Sequence, residues 1–420
     1  MAYQKRICDD ELSNKLKSHG AVLIEGVRGC GKTETAIQRA KSSFFLDSPA
    51  TSGRDRQLLS IDPRQLLKGS SPRLVDEWKE LPELWDVVCE ELRRPPGIGQ
   101  FILTSSTAAG GNKVAKLPDG FARIRMRPMS LMESGDSSGE VSLAWLSTGG
   151  EMSGARCDTG LDQVAYWCCR GGWPQALEGS QRAQLQYPLD YVETLAESDL
   201  AHLDKARISP DIACGVLRAF AQASGTQTSL AHIAAAVRDD VGKGSDLTVS
   251  RYADALRGLY IVDNLTAWKP MLRSRTPVRT SGACHLADPS LAAAALGIGP
   301  DMLVSSLDTL GKMFKRLSVR DPRVYARALG GRVCHYRDKR GLECDAVVRL
   351  NRYSFGLVQA RLGGAALIEE AAQSLLRLSS DIDEAKTGKP AFLMVLTGVG
   401  EQSYKRDDGV LVVPVATLGV

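Results

Sequence analysis

The sequence predicts an α/β protein built on a parallel sheet, and two observations carry this prediction. Up to about Glu133, short apolar runs alternate with helix-forming segments, as in strands joined by helical crossovers. The apolar run Ala21–Glu25 leads into a glycine-rich loop, Gly26–Thr33, and a helix-forming stretch from Glu34 onward follows the loop. A buried strand, a tight loop and a helix in this order are typical of a parallel sheet.

The first part of the chain supplies five candidate strands, separated by loops rich in Pro, Gly and Ser. They are Ala21–Glu25, Gln57–Ile61, Arg73–Val75, Gln100–Thr104 and Arg123–Arg127. From Ser134 to Gly150 the composition turns to Ser and Gly, which indicates a loop or a domain edge. Helix formers then predominate up to about Leu203.

The stretch from Ile212 to Trp268 has the pattern of a small winged-helix unit. We expect three helices, at Leu217–Ala223, Ser229–Val237 and Thr248–Arg257. A β-hairpin should follow, formed by Tyr260–Val262 and Leu265–Trp268. Such units bind DNA in some proteins, whereas in others they only pack domains together. The basic residues of the third helix are Arg251 and Arg257. DNA contact by this unit therefore stays open.

From about Leu310 the chain returns to α/β character. Apolar runs bounded by polar turns predict five strands with a helix between the third and the fourth. The strands are Arg332–Arg337, Glu343–Leu350, Ser354–Val358, Ala391–Leu396 and Val410–Val415, and the helix is Ala366–Leu378.

Length and composition indicate a cytosolic protein of more than one domain. At 420 residues the chain exceeds the size of a single core. The formal charge of +4, from 53 basic and 49 acidic residues, neither requires nor excludes a nucleic-acid partner. The ten cysteines form no paired C-x-x-C framework, and no leader or membrane-length apolar run is evident. We expect a cytoplasmic protein with reduced thiols and no membrane association.

The glycine-rich loop reads G-V-R-G-C-G-K-T, a complete G-x-x-x-x-G-K-[ST] motif. In such a loop the backbone N–H groups converge on phosphate oxygens, the lysine reaches the β- and γ-phosphates, and the final hydroxyl holds Mg²⁺. The expected nucleotide-binding residues are Gly26, Arg28, Gly29, Cys30, Gly31, Lys32 and Thr33, with Thr33 also a metal ligand. The alternative is a glycine-rich turn in a chain of 40 glycines.

An acidic pair follows the strand predicted at Arg73–Val75. We assign Asp76 to the metal, usually through water, and Glu77 to orienting or activating the water that attacks the γ-phosphate. The alternative is an acidic N-cap for a helix that starts near Leu81, and it accounts for one carboxylate but not for the pair.

Further polar residues end the neighbouring strands. Thr104, followed by Ser105 and Ser106, is placed to contact the γ-phosphate or orient water, although a Ser/Thr cluster after a strand is usually a turn. Arg123 is our first choice, among the arginines of the loop and the last strand, for stabilising transition-state charge. The sequence lacks an N-K-x-D guanine reader, since its Asn112-Lys113 pair is followed by Val-Ala, so we expect ATP rather than GTP.

Taken together, these segments resemble bacterial and archaeal AAA-like ATP-binding proteins that have a winged-helix middle region and a C-terminal domain of unknown function related to the restriction-endonuclease fold. The matching stretches beside the loop are Pro72–Trp78, Phe101–Thr104, Arg125–Leu131, Gly171–Pro174, Asp288–Ala292, Val319–Asp321 and His335–Asp338. The resemblance covers nearly the whole chain. It implies a P-loop ATPase domain at 1–135, a helical lid region at 136–205, a winged-helix-like domain at 206–285 and a nuclease-like α/β domain at 286–420.

Departures from the family pattern bear on catalysis. The family usually has Gln where this chain has Lys79, Thr-Gly-Ser where it has Thr104-Ser105-Ser106, and Ser-Gly-Ala-Gly-Arg where it has Asp119–Arg123. These changes affect the expected rate of hydrolysis more than nucleotide binding. We therefore expect a slow ATPase.

The nuclease-like domain departs further. The resemblance implies an early Glu, an Asp and a Glu-x-Lys, but here Lys315 stands at the first position, Asp345 is kept beside Glu343, and Gln359-Ala360-Arg361 replaces the last motif. Gln supplies no anionic charge to Mg²⁺, and Arg cannot act as a base. We expect no cleavage, with Asp345 and Arg361 forming a structural ion pair.

The sequence thus predicts an ATP-binding switch or slow ATPase that uses Mg²⁺. The alternative is a nucleotide-gated binding module in which hydrolysis is incidental. The protein partner is unknown, and a nucleic-acid partner and an oligomeric state are both left open by the sequence.

Overall fold

The computed structural model describes residues 3–46, 52–94, 97–108, 117–152, 154–200, 209–274, 276–350 and 354–420. The Asn112-Lys113 pair lies outside these ranges. The chain divides into two compact units. Unit 1 comprises Met1–Pro128 with Leu256–Ile261, and unit 2 comprises Met129–Ala255 with Val262–Val420. Across the described ranges, no helix combines the length and the apolar character that a bilayer crossing demands.

Unit 1 is built on a five-stranded parallel sheet with the order β2-β3-β4-β1-β5. The interior strand β1 is buried along its whole length, as expected for a parallel strand covered on both faces. The strands are β1 Ala21–Gly26, β2 Ser42–Phe45, β3 Arg73–Asp76, β4 Phe101–Ser105 and β5 Phe121–Met126. The helices are α1 Cys8–Leu16, α2 Lys32–Ile37, α3 Ser52–Ile61 and α4 Leu84–Arg93.

An aromatic cluster lies in the hydrophobic core that packs against this sheet. The ring of Trp85, on the amphipathic helix α4, lies 4.9 Å from that of Trp78 and 4.7 Å from that of Phe121, measured between centroids. Both tryptophans are buried in the core of unit 1. Because Trp78 follows Asp76 and Glu77 directly in the chain, its burial fixes the path of the backbone that carries the acidic pair.

Four of the five strands predicted for this sheet are confirmed within two residues, and the fifth is wrong. Residues Gln57–Ile61 belong to helix α3, and the missing strand is instead Ser42–Phe45, at the edge of the sheet. Leu58 packs against the core, but Ile61 is 80% exposed. An apolar run whose last residue, Ile61, is exposed suits a surface helix, whereas an interior strand of a parallel sheet is buried on both faces.

Unit 2 contains a six-stranded mixed sheet with the order β13-β14-β11-β10-β9-β8. Strands β8, β9 and β10 form an antiparallel meander, and β10, β11 and β14 are parallel. The strands of this sheet are β8 Arg332–Arg337, β9 Glu343–Arg349, β10 Phe355–Arg361, β11 Phe392–Thr397, β13 Tyr404–Lys405 and β14 Leu411–Pro414. The five strands and the helix predicted for this region are confirmed, with shifts of up to three residues at their ends.

The other elements of unit 2 include two small strand pairs and a series of helices. The pairs join β6 Val141–Ser142 to β15 Leu418–Gly419 and β7 Arg156–Thr159 to β12 Gly400–Gln402. The helices are α5 Leu143–Ser147, α6 Leu161–Arg170, α7 Gln181–Thr194, α8 Pro210–Ala223, α9 Leu230–Val241, α10 Asp246–Gly258, α11 Pro289–Ala295, α12 Pro300–Ser305, α13 Leu307–Ala328, α14 Ala365–Asp381 and α15 Glu384–Thr387.

The three helices of the winged-helix pattern are present as α8, α9 and α10, although α8 begins at Pro210, before the predicted start at Leu217. The hairpin predicted between Tyr260–Val262 and Leu265–Trp268 is wrong. Val262 pairs with Leu286 and Leu265 pairs with Ala283, both antiparallel, so the two short segments pair with a later part of the chain rather than with each other. The turn after Val262 is therefore not the tip of a tight hairpin.

Sequence motifs that are far apart in the chain meet in one buried hydrogen-bond network of unit 2. The Asp288 carboxylate accepts bonds from the Gly172 N–H at 3.1 Å and from Arg320 Nη1 at 2.9 Å. Asp321 accepts from Arg320 Nε at 2.7 Å and from the Leu131 N–H at 3.0 Å. Since these charges are buried and mutually satisfied, the network is a structural feature of unit 2.

Candidate functional site

The carboxyl ends of β1, β3 and β4 lie side by side in the unit 1 sheet. Because parallel strands end at the same edge, this order brings together the glycine-rich loop after β1, the acidic pair after β3 and the polar residues after β4. Residues 76 and 104, which are 28 positions apart in the chain, are in direct contact. The sheet topology thus assembles the residues that the sequence singled out separately.

Backbone geometry explains the glycines of the loop. Gly31 has φ of 98°, and Gly29 has φ of 76°, a region that L side chains rarely adopt. At Gly26 a Cβ atom would lie 2.2 Å from the carbonyl oxygen of Met126, so a side chain does not fit there. Within the loop, Cys30 is fully buried and Arg28 is exposed.

Lys32 points into the loop rather than toward solvent. Its ammonium donates to the Val27 carbonyl at 3.1 Å and to Ser106 Oγ at 2.8 Å. The Glu77 carboxylate is 3.9 Å away, and Lys32 is only 4% exposed. A buried ammonium at the glycine-rich loop, beside these acceptors and carboxylates, suits an anionic ligand.

Thr33, Asp76 and Thr104 form a chain of hydrogen bonds. Thr33 Oγ1 donates to Asp76 Oδ1 at 2.9 Å, and Thr104 Oγ1 donates to the same oxygen at 2.6 Å. Burial raises the pKa of the Asp76 carboxyl above its ordinary value, and the two hydroxyl hydrogen bonds oppose this rise. The carboxylate is thus fixed in direction and poorly solvated.

Glu77 adopts a left-handed backbone conformation, with φ of 48°. This conformation is uncommon for residues other than glycine. Three hydrogen bonds maintain it: the Glu77 N–H donates to Thr104 Oγ1 at 2.9 Å, and the Glu77 carboxylate accepts from the Ser106 N–H at 2.8 Å and from the Ser106 hydroxyl. The strained backbone turns the carboxylate toward the end of β4 and toward Lys32.

The arginines predicted on β5 have different surroundings. Arg123 Nε lies 3.0 Å from the buried carboxylate of Glu25, so the structure places it in an ion pair at the end of β1. Arg125 stacks on the ring of Tyr260, with its guanidinium carbon 3.5 Å from the ring centroid. A catalytic role for Arg123 stays a prediction.

Two further residues near the site were assigned no role from the sequence. Arg6, which is 3% exposed, donates from Nη1 to the Cys30 carbonyl at 2.6 Å and from Nη2 to the Arg127 carbonyl at 2.9 Å. Lys79 donates to the Thr107 carbonyl, and burial lowers the pKa of its ammonium to about 8. No local motif identifies Arg6, because its partners lie 24 and 121 positions away.

The side chains present fit a magnesium–phosphate ligand. Thr33 and Asp76 offer a hydroxyl and a carboxylate oxygen within hydrogen-bond distance of each other, and Mg²⁺ prefers such oxygen ligands. Lys32 supplies the buried positive charge beside them. The chemistry of this donor set is thus that of a site for a phosphorylated ligand with its cation.

The acidic residues of unit 2 are arranged differently. Asp345 Oδ1 lies 3.2 Å from Lys315 Nζ, and Asp345 Oδ2 lies 3.8 Å from Arg361 Nη1. Gln359 is buried and donates to the Glu343 carbonyl at 2.6 Å. Across the described ranges, no group of three or more His, Cys, Asp or Glu side chains is placed to hold a metal ion.

The chain is similar to Walker-type ATPases among the solved structures. The Walker-type ATPase PABY2304 of Pyrococcus abyssi is matched with a TM-score of 0.42 and 14% identity, over 69% of this chain and 94% of that one. DnaA from Aquifex aeolicus, bound to AMPPCP, is matched with a TM-score of 0.25 and 12% identity, over 60% of this chain and 84% of that one. The family described as a domain of unknown function, DUF8612, matches residues 161–302. No curated protein matches the chain at a significant level.

Proposed function

We propose that this protein binds ATP with Mg²⁺ at the loop Gly26–Thr33 and hydrolyses it slowly, as a nucleotide-dependent switch. The observation that carries the proposal is the convergence of Lys32, Thr33, Asp76 and Glu77, from two separate chain segments, with Ser106 from a third, into one connected set of polar contacts at the edge of the sheet. A glycine-rich turn without function would not need a buried ammonium and two buried or half-buried carboxylates beside it.

Each side chain has a role in this proposal. Lys32 binds the β- and γ-phosphates, and the backbone N–H groups of the loop bind phosphate oxygens. Thr33 and Asp76 would hold Mg²⁺, which when bound supplies positive charge against the phosphate oxygens. Glu77 orients the attacking water and accepts its proton, and Thr104 and Ser106 hold Asp76 and Glu77 in place.

Two features support slow turnover. The Glu77 carboxylate accepts hydrogen bonds from both the N–H and the hydroxyl of Ser106, one on each oxygen, so turning away from Ser106 toward a reacting water would cost these bonds. The Arg123 guanidinium is paired with Glu25, and it must leave that carboxylate before it stabilises charge on a phosphate. Glu77 and Arg123 must therefore both leave existing contacts before they act on the nucleotide, and this slows turnover.

Release of inorganic phosphate from ATP, with Mg²⁺ present, tests the enzymatic part. We expect slow turnover in the wild type and a loss of about 100-fold or more in Glu77→Gln, since a general base contributes that much. Mg-ATP binding is retained in this variant. Glu80→Gln, an exposed carboxylate three residues away, is the matched control and leaves turnover unchanged. Equal turnover in wild type and Glu77→Gln would remove Glu77 from the mechanism, and the same assay with GTP tests the base preference.

The second candidate is a nucleotide-gated binding module, and the segment 256–261 favours it. Leu256–Ile261 belongs to unit 1, although the rest of helix α10 belongs to unit 2. Within unit 1, the Ala108 N–H donates to the Gly258 carbonyl at 2.5 Å, two residues after Ser106. Ser106 is thus connected to this segment through two residues of chain and the hydrogen bond from Ala108 to Gly258. We expect a movement of Ser106 on nucleotide binding to displace the segment.

Partner capture with and without ATP separates the two candidates. A ligand that binds two states equally shifts nothing, so a switch requires that partner affinity differ between the ATP-bound and ATP-free protein. If partners are captured equally in both states, the gated module fails and the enzymatic function alone remains.

We also propose that the second sheet has a nuclease-like arrangement without nuclease activity. The antiparallel meander β8-β9-β10, the helix α14 and the parallel strand β11 support the fold. The contacts of Asp345 with Lys315 and Arg361 support the inactivity, because cations occupy the surroundings of the carboxylate. Incubation with single- and double-stranded DNA and Mn²⁺ should leave both intact, and cleavage that disappears in Asp345→Ala would contradict this.

A further inference from the structure

Unit 2 has a concentration of positive charge that the proposed nucleotide site does not use. Between Asp263 and Asp288 the sequence contains no acidic residue, and it contains four lysine or arginine residues: Lys269, Arg273, Arg275 and Arg279. Arg275 lies outside the described ranges. The end of β8 and the turn after it add Arg337, Lys339 and Arg340.

Backbone pairing places these cations on one face. Val278 and Asp338 form an antiparallel bridge, the Arg279 N–H donates to the Arg337 carbonyl at 2.9 Å, and the Lys339 N–H donates to the Pro277 carbonyl at 3.1 Å. Opposite residues of an antiparallel pair share a face, and neighbours along a strand alternate. Arg279, Arg337 and Lys339 therefore project together, away from the buried Asp338. With Arg340 they form what we call the basic strip.

The charge of the basic strip is largely not neutralised. Arg279, Lys339 and Arg340 are exposed, and within the described part of the chain no carboxylate forms an ion pair with any of the three. Arg337 alone has a carboxylate nearby, with its Nε 3.9 Å from Glu343.

The acidic residue closest in sequence does not neutralise the strip. The Asp338 carboxylate is turned inward, where it accepts from the N–H groups of Arg340 at 2.8 Å and Leu342 at 2.9 Å. Like charges opposite each other on paired strands lower stability. The strip therefore costs folding free energy, which an anionic partner would relieve.

We infer that the basic strip is a docking surface for the phosphate backbone of duplex DNA. Cations on paired strands are spaced about 5 to 7 Å apart, and a duplex carries one negative charge per roughly 1.7 Å of its axis. An array of this spacing contacts several phosphates at once. Three of the four residues are arginines, whose planar guanidinium groups match phosphate oxygens in bidentate hydrogen bonds.

The surroundings of the strip favour DNA over a lipid surface. Binding at a membrane interface relies on apolar anchors beside the basic residues. Among residues 276–281 and 337–341, all within the described ranges, no large hydrophobic side chain is exposed. Because phosphate contacts carry no base information, the binding is independent of sequence. It also does not rest on the proposed ATP site, so the two can fail separately.

Fluorescence anisotropy of a labelled random-sequence duplex, with the full chain and no nucleotide, tests the inference. The strip variant is Arg279→Ala/Lys339→Ala/Arg340→Ala. The control is Arg182→Ala/Lys389→Ala/Lys405→Ala, which removes the same charge from exposed positions elsewhere in unit 2. Thermal unfolding of both variants checks that the fold is kept.

We expect the wild type to bind the duplex with a strong salt dependence. The strip variant should lose about tenfold or more in affinity, and its log–log salt slope should become shallower by about 2.7, which is three contacts at about 0.9 each. The control should match the wild type. The inference is overturned if the wild type does not bind DNA, if the control loses as much as the strip variant, or if phosphatidylserine vesicles or polyglutamate are bound and DNA is not.

Discussion

Thr104 and Asp76 share a hydrogen bond of 2.6 Å, from the threonine hydroxyl to the carboxylate, at adjacent strand ends. The same hydroxyl accepts from the Glu77 N–H at 2.9 Å. One fully buried side chain thus fixes both members of the acidic pair, the first through its carboxylate and the second through its backbone.

Thr104→Val should therefore lower the rate of ATP hydrolysis more than the affinity for Mg-ATP. Valine keeps the volume but lacks the hydroxyl, so Asp76 and Glu77 lose a shared positioning contact. We expect turnover to fall by about tenfold to 100-fold, the range for catalytic groups displaced by small distances. Steady-state phosphate release and calorimetric titration check the two quantities, and equal losses in both would assign Thr104 to ground-state binding.

Thr33→Val should weaken ATP binding only when Mg²⁺ is present. The Thr33 hydroxyl lies 2.9 Å from Asp76 Oδ1. We propose that these two oxygens together hold the Mg²⁺ ion. Titration of ATP with Mg²⁺ should show a loss of roughly 10- to 100-fold, the range for the loss of a group that supports a metal site, whereas titration in EDTA should match the wild type. A variant that loses the same affinity under both conditions would place Thr33 on the phosphates instead.

Lys79 should make stability depend on pH above neutrality. Burial lowers the pKa of its ammonium from 10.5 to about 8, so between these pH values the unfolded chain binds a proton that the folded chain does not. The free energy of unfolding therefore rises with pH across this window. Urea denaturation on both sides of pH 8 should show the rise in the wild type and in the exposed-site control Lys41→Met, but not in Lys79→Met. Parallel curves for all three proteins would contradict the shift.

Arg320→Met should strongly destabilise unit 2. The change leaves the buried carboxylates of Asp288 and Asp321 without their cation, and breaking a buried pair in this way typically costs about 3 to 5 kcal/mol. Lys312→Met is the control, because its partner Asp308 is 90% exposed and such pairs contribute less than about 1 kcal/mol. Similar losses in the two variants, by chemical denaturation, would show that the buried network is not stabilised by Arg320.

Local sequence patterns predicted most of the strands and the motif residues of unit 1. They predicted few of the contacts between residues that are far apart in the chain. The strand before Gly26, the glycine loop and the pair Asp76-Glu77 are each visible in a few consecutive residues, because periodicity and spacing specify them locally. Arg6 was missed, since its hydrogen bonds to the Cys30 and Arg127 carbonyls depend on the folded chain. The strand predicted at Gln57–Ile61 was wrong because an apolar run alone does not show which side chains reach the core.

The basic strip illustrates the same limit in unit 2. Residues 279 and 337 are far apart in the chain, and the overall charge of +4 gives no indication that cations gather at one place. Only the pairing of Val278 with Asp338 brings them together. Local charge density, rather than net charge, is therefore the quantity that bears on a polyanionic partner.

Calorimetric titration of the full chain with Mg-ATP, in the wild type and in Lys32→Ala, tests the central claim most directly. The buried Lys32 ammonium, with neutral hydrogen-bond acceptors at 2.8 and 3.1 Å, is the group that we expect to meet the phosphates. We predict saturable binding by the wild type and a loss of roughly 10- to 100-fold in Lys32→Ala, as expected for a hydrogen bond to a charged group. Lys17→Ala, an exposed lysine of unit 1, should bind like the wild type. No Mg-ATP binding by the wild type, or equal binding by Lys32→Ala, would contradict the proposed function.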